Sequence, residues 1–234
     1  MRSIRLQSNQ ERQSERGNVL FLILIAVALF AALSYAVTQS TRSGGGDASR
    51  ETTLVNSAQI TQYPASIKTA ITRMIVSNSV SANDLLFNSP SDFGLFNSTY
   101  PAADGVFHPT GGGATYSEAP ASVMQSGAPG TWHFNGKNEV KDIGLTDGTT
   151  SGADIIAFLP GVKQAVCESI HTKLGLSTSI PTIAGINSTA DMNPTTPGIT
   201  AGGGTITDPI LDGQPQGCFI SGTSYVYYHV LVER

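Results

Sequence analysis

Charge is scarce in this chain. Only 13% of its 234 residues are Asp, Glu, Lys or Arg, and Gly, Ser, Thr, Asn and Pro fill the space between apolar runs. That balance favours a β-rich, loop-rich extracellular head over a helical cytosolic enzyme. The formal charge is −4, with no basic patch interleaved with aromatics, so the electrostatic footprint of a nucleic-acid binder is missing. Cysteine is reduced to Cys167 and Cys218, and neither has a second cysteine at metal-ligand spacing. The four histidines, His108, His133, His171 and His229, form no i, i+4 pair. The glycine triplets are not followed by Lys-Ser/Thr and open no βαβ unit, and no Gly-x-Ser-x-Gly turn occurs. No repeat of fixed period is present. No catalytic, cofactor-binding or metal-binding residue is nominated, and the chain reads as a non-enzyme.

What the chain does have is one long apolar run. From Val19 to Val37 there are nineteen residues without a charge, and only Ser34 and Tyr35 carry polar atoms. At about 1.5 Å per residue the run reaches roughly 28 Å, close to the hydrocarbon thickness of a bilayer. A helix satisfies every backbone N–H and C=O internally, as lipid requires. A secretory peptide fits less well, because its apolar core is about 7 to 15 residues long, although "SYAVTQ" could host a cleavage site. Arg2, Arg5, Arg12 and Arg16 precede the run, whereas Arg42 and Arg50 after it are diluted by Asp47 and Glu51. The positive-inside tendency therefore keeps the N-terminus in the cytoplasm and sends the bulk of the chain across the membrane.

A short, polar, Arg-containing leader ending in Gly17 and running directly into this unbroken apolar helix resembles the N-terminus of a type IV pilin or pseudopilin. The resemblance covers about the first 80 residues and extends to the rest only by general plan. It implies that a prepilin peptidase cuts between Gly17 and Asn18 on the cytoplasmic side, leaving the helix on the mature subunit to pack in a filament core. Two positions depart from the family pattern. Asn18 stands where Phe or Met is usual as the first mature residue, and Leu22 stands where a glutamate usually neutralises a neighbour's N-terminal amine. Some minor, tip-located pseudopilins also lack that glutamate. The resemblance further implies a filament of type IV pilus or type II secretion kind, in the bacterial inner membrane, the periplasm or an extracellular fibre. Its partners would be the inner membrane and identical or related subunits, with no nucleic acid.

Without residues 1–17 the chain would carry 9 basic and 15 acidic residues, net −6. Cys167 and Cys218 then lie on the outer side, where an isolated pair usually forms one disulfide, with two unpaired buried thiols as the alternative. Closing a loop of about 50 residues would contribute roughly 4 kcal/mol in the chain-entropy model. A C-terminal disulfide-closed loop is also usual in pilin heads.

Along the chain, Gly44–Gly46 predict a hinge, since each glycine costs a helix about 1 kcal/mol relative to alanine. From Asp47 the stripe Leu54, Val55, Ala58, Tyr63, Ile67, Ala70, Ile71, Met74 and Ile75 predicts an amphipathic helix kinked at Pro64 and packed on a β-sheet. Residues 78–130 read as loop. Asn135-Gly136 predicts a type I′ hairpin, and residues 153–159 a short buried strand or the start of a helix. Pro160 predicts the first turn of a helix carrying Cys167, with Val162, Val166, Ile170 and Leu174 along one face and Gly175 as its C-cap. "TTPGITAGGGT" reads as an exposed loop, and Phe219 to Val232 as a terminal hairpin turning at Ser221–Ser224. His229 reads as a half-buried, hydrogen-bonded strand residue. Asp147 and Asp154 offer carboxylates of the kind calcium takes but lack the EF-hand frame, and read as a solvated turn. Asn97-Ser98-Thr99 and Asn187-Ser188-Thr189 match the glycosylation acceptor pattern and read as surface loops.

The fold class is therefore α+β: an N-terminal transmembrane helix continuing to a kinked amphipathic helix on an antiparallel β-sheet head. The segments are a leader (1–17), a membrane or assembly helix (18–38), a Gly-rich hinge (39–46) and an extracytoplasmic head (47–234). The expected function is a filament subunit. The rival is a permanently anchored single-pass protein with a periplasmic binding or scaffold head, and an anchored enzyme is a distant third.

Overall fold

The computed structural model describes residues 11–145, 152–199 and 202–234, with side chains described in all but 11–18 and 40–50. It is a mixed helix and sheet protein that divides into two compact units, Met1–Glu51 and Thr52–Arg234.

The first unit is helical throughout its described part, as the N-terminal portion of α1, Glu11–Asn78. The backbone stays helical across Gly44–Gly46, where the sequence predicts a hinge. Three glycines cost a helix only about 1 kcal/mol each, and the hydrogen-bonded turns on either side carry it through.

The second unit begins on the same helix. Its buried positions are Ser57, Ile60, Pro64, Ile67, Ile71 and Met74. The alternating spacing of three and four puts them on one face. The stripe read from the sequence agrees with this from Ile67 onward and drifts before it. Leu54 and Val55 are 45% and 67% exposed, because the face turned inward there is occupied by Ser57. Ser57 Oγ donates to Leu54 O at 2.9 Å and accepts from Lys173 Nζ at 2.7 Å. Pro64 lies inside the helix, buried on the core face. The helix ends where Ser79 takes a left-handed φ of 56° and Val80 N–H bonds back to Met74 O at 3.2 Å, satisfying one of the last helical carbonyls.

Residues 80–130 carry three short 3₁₀ turns, Ala82–Asp84, Pro90–Leu95 and Ala102–Asp104, and no strand, as the turn-rich sequence predicts. The strands follow: β1 His133–Asn135, β2 Glu139–Val140, β3 Ile155–Pro160, then helix α2 Gln164–Leu174, and β4 Thr205–Ile206, β5 Gln216–Ser221 and β6 Ser224–Val232. Four of them form an antiparallel sheet in the order β1-β3-β6-β5, and β2 pairs with β4 in parallel.

Both faces of the four-stranded sheet are covered. On β3 and β6 the residues Ile155, Ala157, Leu159, Tyr227 and Leu231 pack toward α1 and α2 with Ile60, Ile67, Ile71, Val166 and Ile170. Their neighbours Ile156, Phe158, Val226, Tyr228 and Val230 pack on the other side with Val140, Ile143, Ile183, Ile186, Ile206 and Leu211. Period-two alternation therefore carries apolar side chains into two separate cores.

The predicted Asn135-Gly136 hairpin does not form. β1 pairs with β3, with Phe134 opposite Ala157, and neither Asn135 nor Gly136 has the positive φ that a type I′ turn requires. Glycine is needed at 136 for a different reason: an added Cβ would lie 2.6 Å from Ile199 Cγ1. Pro160 likewise ends β3 instead of opening α2, which starts at Gln164 after Gly161 turns the chain with φ 84°. Gly175 does cap α2, in left-handed conformation with its N–H toward His171 O and Thr172 O. The terminal hairpin turns between Ser221 and Ser224, as the alternation predicts.

Candidate functional site

The candidate site is the surface of α1 itself. Val19–Gln39 has a mean hydropathy of 2.7 and none of it is buried. By length and composition it is the one helix among the described residues able to cross a membrane. Its large apolar side chains are exposed by 41% (Ile25) to 72% (Phe30). Two of its polar side chains bond within the helix: Thr38 Oγ1 donates to Ser34 O, and Gln39 Nε2 to Tyr35 Oη at 2.7 Å. An apolar surface on all sides of a helix needs lipid or protein around it. Gly17 and Asn18 both lie in the helical backbone of α1, just before this surface.

The head contributes covalent closure. Cys167 on α2 and Cys218 on β5 form a disulfide, with Cα atoms 5.7 Å apart and both residues fully buried. Beside it His171 Nδ1 contacts Ser177 O at 2.7 Å, and Nε2 accepts the Cys218 N–H at 3.0 Å. Acceptance at Nε2 places the ring proton on Nδ1, donated to Ser177. This imidazole satisfies an outward backbone group of an edge strand, a structural role.

The other singled-out residues also have structural places. His229 is buried in β6, with Nδ1 3.1 Å from Tyr227 Oη, and burial, with Lys68 nearby, pushes its pKa down to about 4. His133 pairs with Asp191 at 3.0 Å. Asp154 is not in a solvated turn. It is fully buried, with Oδ2 accepting Val140 N–H at 2.9 Å and Oδ1 accepting Arg234 N–H at 3.0 Å. Burial raises its pKa to about 6, against the lowering effect of those two bonds. Both oxygens serve the fold. Asp147 lies outside the described residues, and among those described no group of three or more His, Cys, Asp or Glu side chains could hold a metal ion.

Of the two acceptor tripeptides, Asn97 is exposed and its Oδ1 takes the N–H groups of Thr99 and Tyr100, a surface turn as read from the sequence. Asn187 differs. Its carbonyl accepts from Asn135 Nδ2 at 3.1 Å and Asn138 Nδ2 at 2.8 Å, and Ser188 is buried. These asparagines tie the loop before β4 to the segment between β1 and β2, and Ile199 within "TTPGITAGGGT" is buried as well. Thr200 and Ala201 of that stretch lie outside the described residues.

No family model, curated protein or solved structure matches the chain.

Proposed function

We propose that this chain is a pilin-like structural subunit, held by Val19–Gln39 in a membrane and then assembled through the same helix into a filament. The observation that carries the reading is the uncovered apolar length of α1, joined without a helix break to a head whose own core is complete. Lipid tails and neighbouring side chains cover apolar surface about equally well, so copies of the helix can replace lipid around one another through close packing. Gly17, immediately before the apolar run and after an Arg-rich leader, supplies the processing point, and the disulfide closes a loop on the head outside the cell. Leu22 leaves no carboxylate to neutralise a neighbour's amine, which favours a minor or terminal position in the filament.

A photocrosslinking amino acid in place of Phe30, used in the native host, tests this. A ladder of products beyond the dimer supports assembly through the helix. Crosslinks to lipid alone support the second reading, a permanent single-pass anchor carrying a binding or scaffold head, which rests on the same exposed apolar helix.

A further inference from the structure

A concave groove of about 390 Å³ runs between α1 and residues 112–117, its α1 wall formed by Tyr63, Ser66, Thr69, Ala70 and Arg73. That volume lies within the roughly 300–1,000 Å³ range of small-molecule sites. We propose that it binds an acidic saccharide, with the carboxylate on Arg73 and the sugar hydroxyls on the hydroxyl oxygens of the helix wall.

Three features select this ligand chemistry. Arg73 is the one cation lining the groove, and among the described residues it has no ion-pair partner: the ion pairs there are Lys68–Glu233, His133–Asp191 and Lys141–Asp212. One of its N–H groups is held by Gly112 O, which orients the guanidinium without neutralising it. A single planar cation matches the single charge of a carboxylate, which it can meet in bidentate fashion.

The hydroxyls are set as acceptors. Ser66 Oγ donates its proton to Tyr63 O at 2.7 Å, and Thr69 Oγ1 donates to Ala65 O at 3.0 Å. Each hydroxyl has one proton, so what remains for a ligand is oxygen lone pairs. These call for a donor. An ammonium would be repelled by Arg73, whereas a sugar hydroxyl is neutral and donates.

The third feature is aromatic. Tyr63 lines the groove, with its Oη accepting Ser117 N–H at 3.0 Å and its ring 5.3 Å from that of Trp132. A second hollow of about 150 Å³ shares Tyr63 and Ser117 with the groove and is lined also by Pro120, Trp132 and Glu118, whose carboxylate leaves the Arg73 end as the place for the ligand's own charge. An aromatic ring among polar lining residues suits the apolar face and polar rim of a sugar ring. The groove belongs to the head alone, so it would be present whichever way the N-terminal helix is used.

The test is calorimetric titration of the full chain in detergent micelles with trigalacturonate, maltotriose and triglutamate. Fluorescence of Trp132, the single tryptophan in the sequence, reports where binding occurs. The expected result is saturable binding of trigalacturonate with a matching change in Trp132 emission, weakened about tenfold or more in Arg73→Gln and in exchange for maltotriose. Thr69→Val should weaken it too, and it keeps the charge should Arg73→Gln fold poorly. The proposal is overturned by absence of saturable binding to trigalacturonate, by equal binding of maltotriose, or by Arg73→Gln that folds and binds as before. Triglutamate binding as tightly would also overturn it, making the groove an acidic-peptide site.

Discussion

The carboxylate of Asp154 holds the backbone N–H of Arg234 at 3.0 Å through Oδ1 while its other oxygen holds Val140 at 2.9 Å. One fully buried side chain thus ties the approach to β3, the end of β2 and the last described residue together. In Asp154→Asn one oxygen still accepts, but an amide NH₂ faces the second N–H. A buried donor without an acceptor costs about 1–3 kcal/mol, so the variant should unfold at lower urea concentration than the parent at pH 7.

Asp154 and His229 make opposite contributions to pH dependence. The folded pKa of Asp154 is raised to about 6, so the folded state binds more protons than the unfolded chain between roughly pH 4 and 6, and acidification through that window stabilises the fold. The folded pKa of His229 is lowered to about 4, so from roughly pH 6.5 down to 4 the unfolded chain binds more protons and acidification destabilises. These two contributions offset one another in the parent. In His229→Gln the Asp154 contribution is no longer opposed by this histidine, and the unfolding free energy from urea titration should rise relative to the parent on going from pH 6.5 to pH 4, by up to about 1.4 kcal/mol per pH unit.

The Cys167–Cys218 bridge closes a loop of 51 residues. Replacing both cysteines by alanine should lower stability by about 4 kcal/mol. Urea titration of the double variant against the oxidised parent measures this, and a loss under about 1 kcal/mol would show that the packed α2–β5 contact suffices without the bond.

Gly136→Ala should cost about 1–3 kcal/mol through overpacking against Ile199. Asn135 and Gly136 form no tight turn, so Gly136→Asn, which a type I′ turn would accept, should be no better tolerated. Thermal unfolding of the two variants separates the explanations.

Legibility in the sequence followed the range of the interactions. The apolar helix, the Gly175 cap, the terminal hairpin and the Cys167–Cys218 pair depend on runs, caps and alternation visible within a few residues, or on there being just two cysteines to pair. Asn135-Gly136 misled because its local turn signal was overridden by partners more than fifty residues away, Asn187, Ala190 and Ile199. Pro160 fits the start of a helix and the end of a strand equally well, and the pairing of β3 with β6 decides between them. The carboxylate of Asp154 sits in a Gly/Thr/Ser-rich stretch that reads as solvent-facing, but its hydrophobic successors Ile155 and Ile156 signal that the chain is already entering the core. In the groove, Arg73 was readable only as a charge on the solvent face of a helix. The loop glycines that give it a wall arrive about forty residues later.

N-terminal sequencing of the protein recovered from its native membrane or extracellular fraction tests the filament reading most directly. A chain beginning at Asn18, with Gly17→Glu leaving the leader in place and abolishing higher assemblies, is the predicted result. A working protein that begins after Val37 and stays free of membrane and fibre, or one that keeps Met1 while assembling normally, would contradict it.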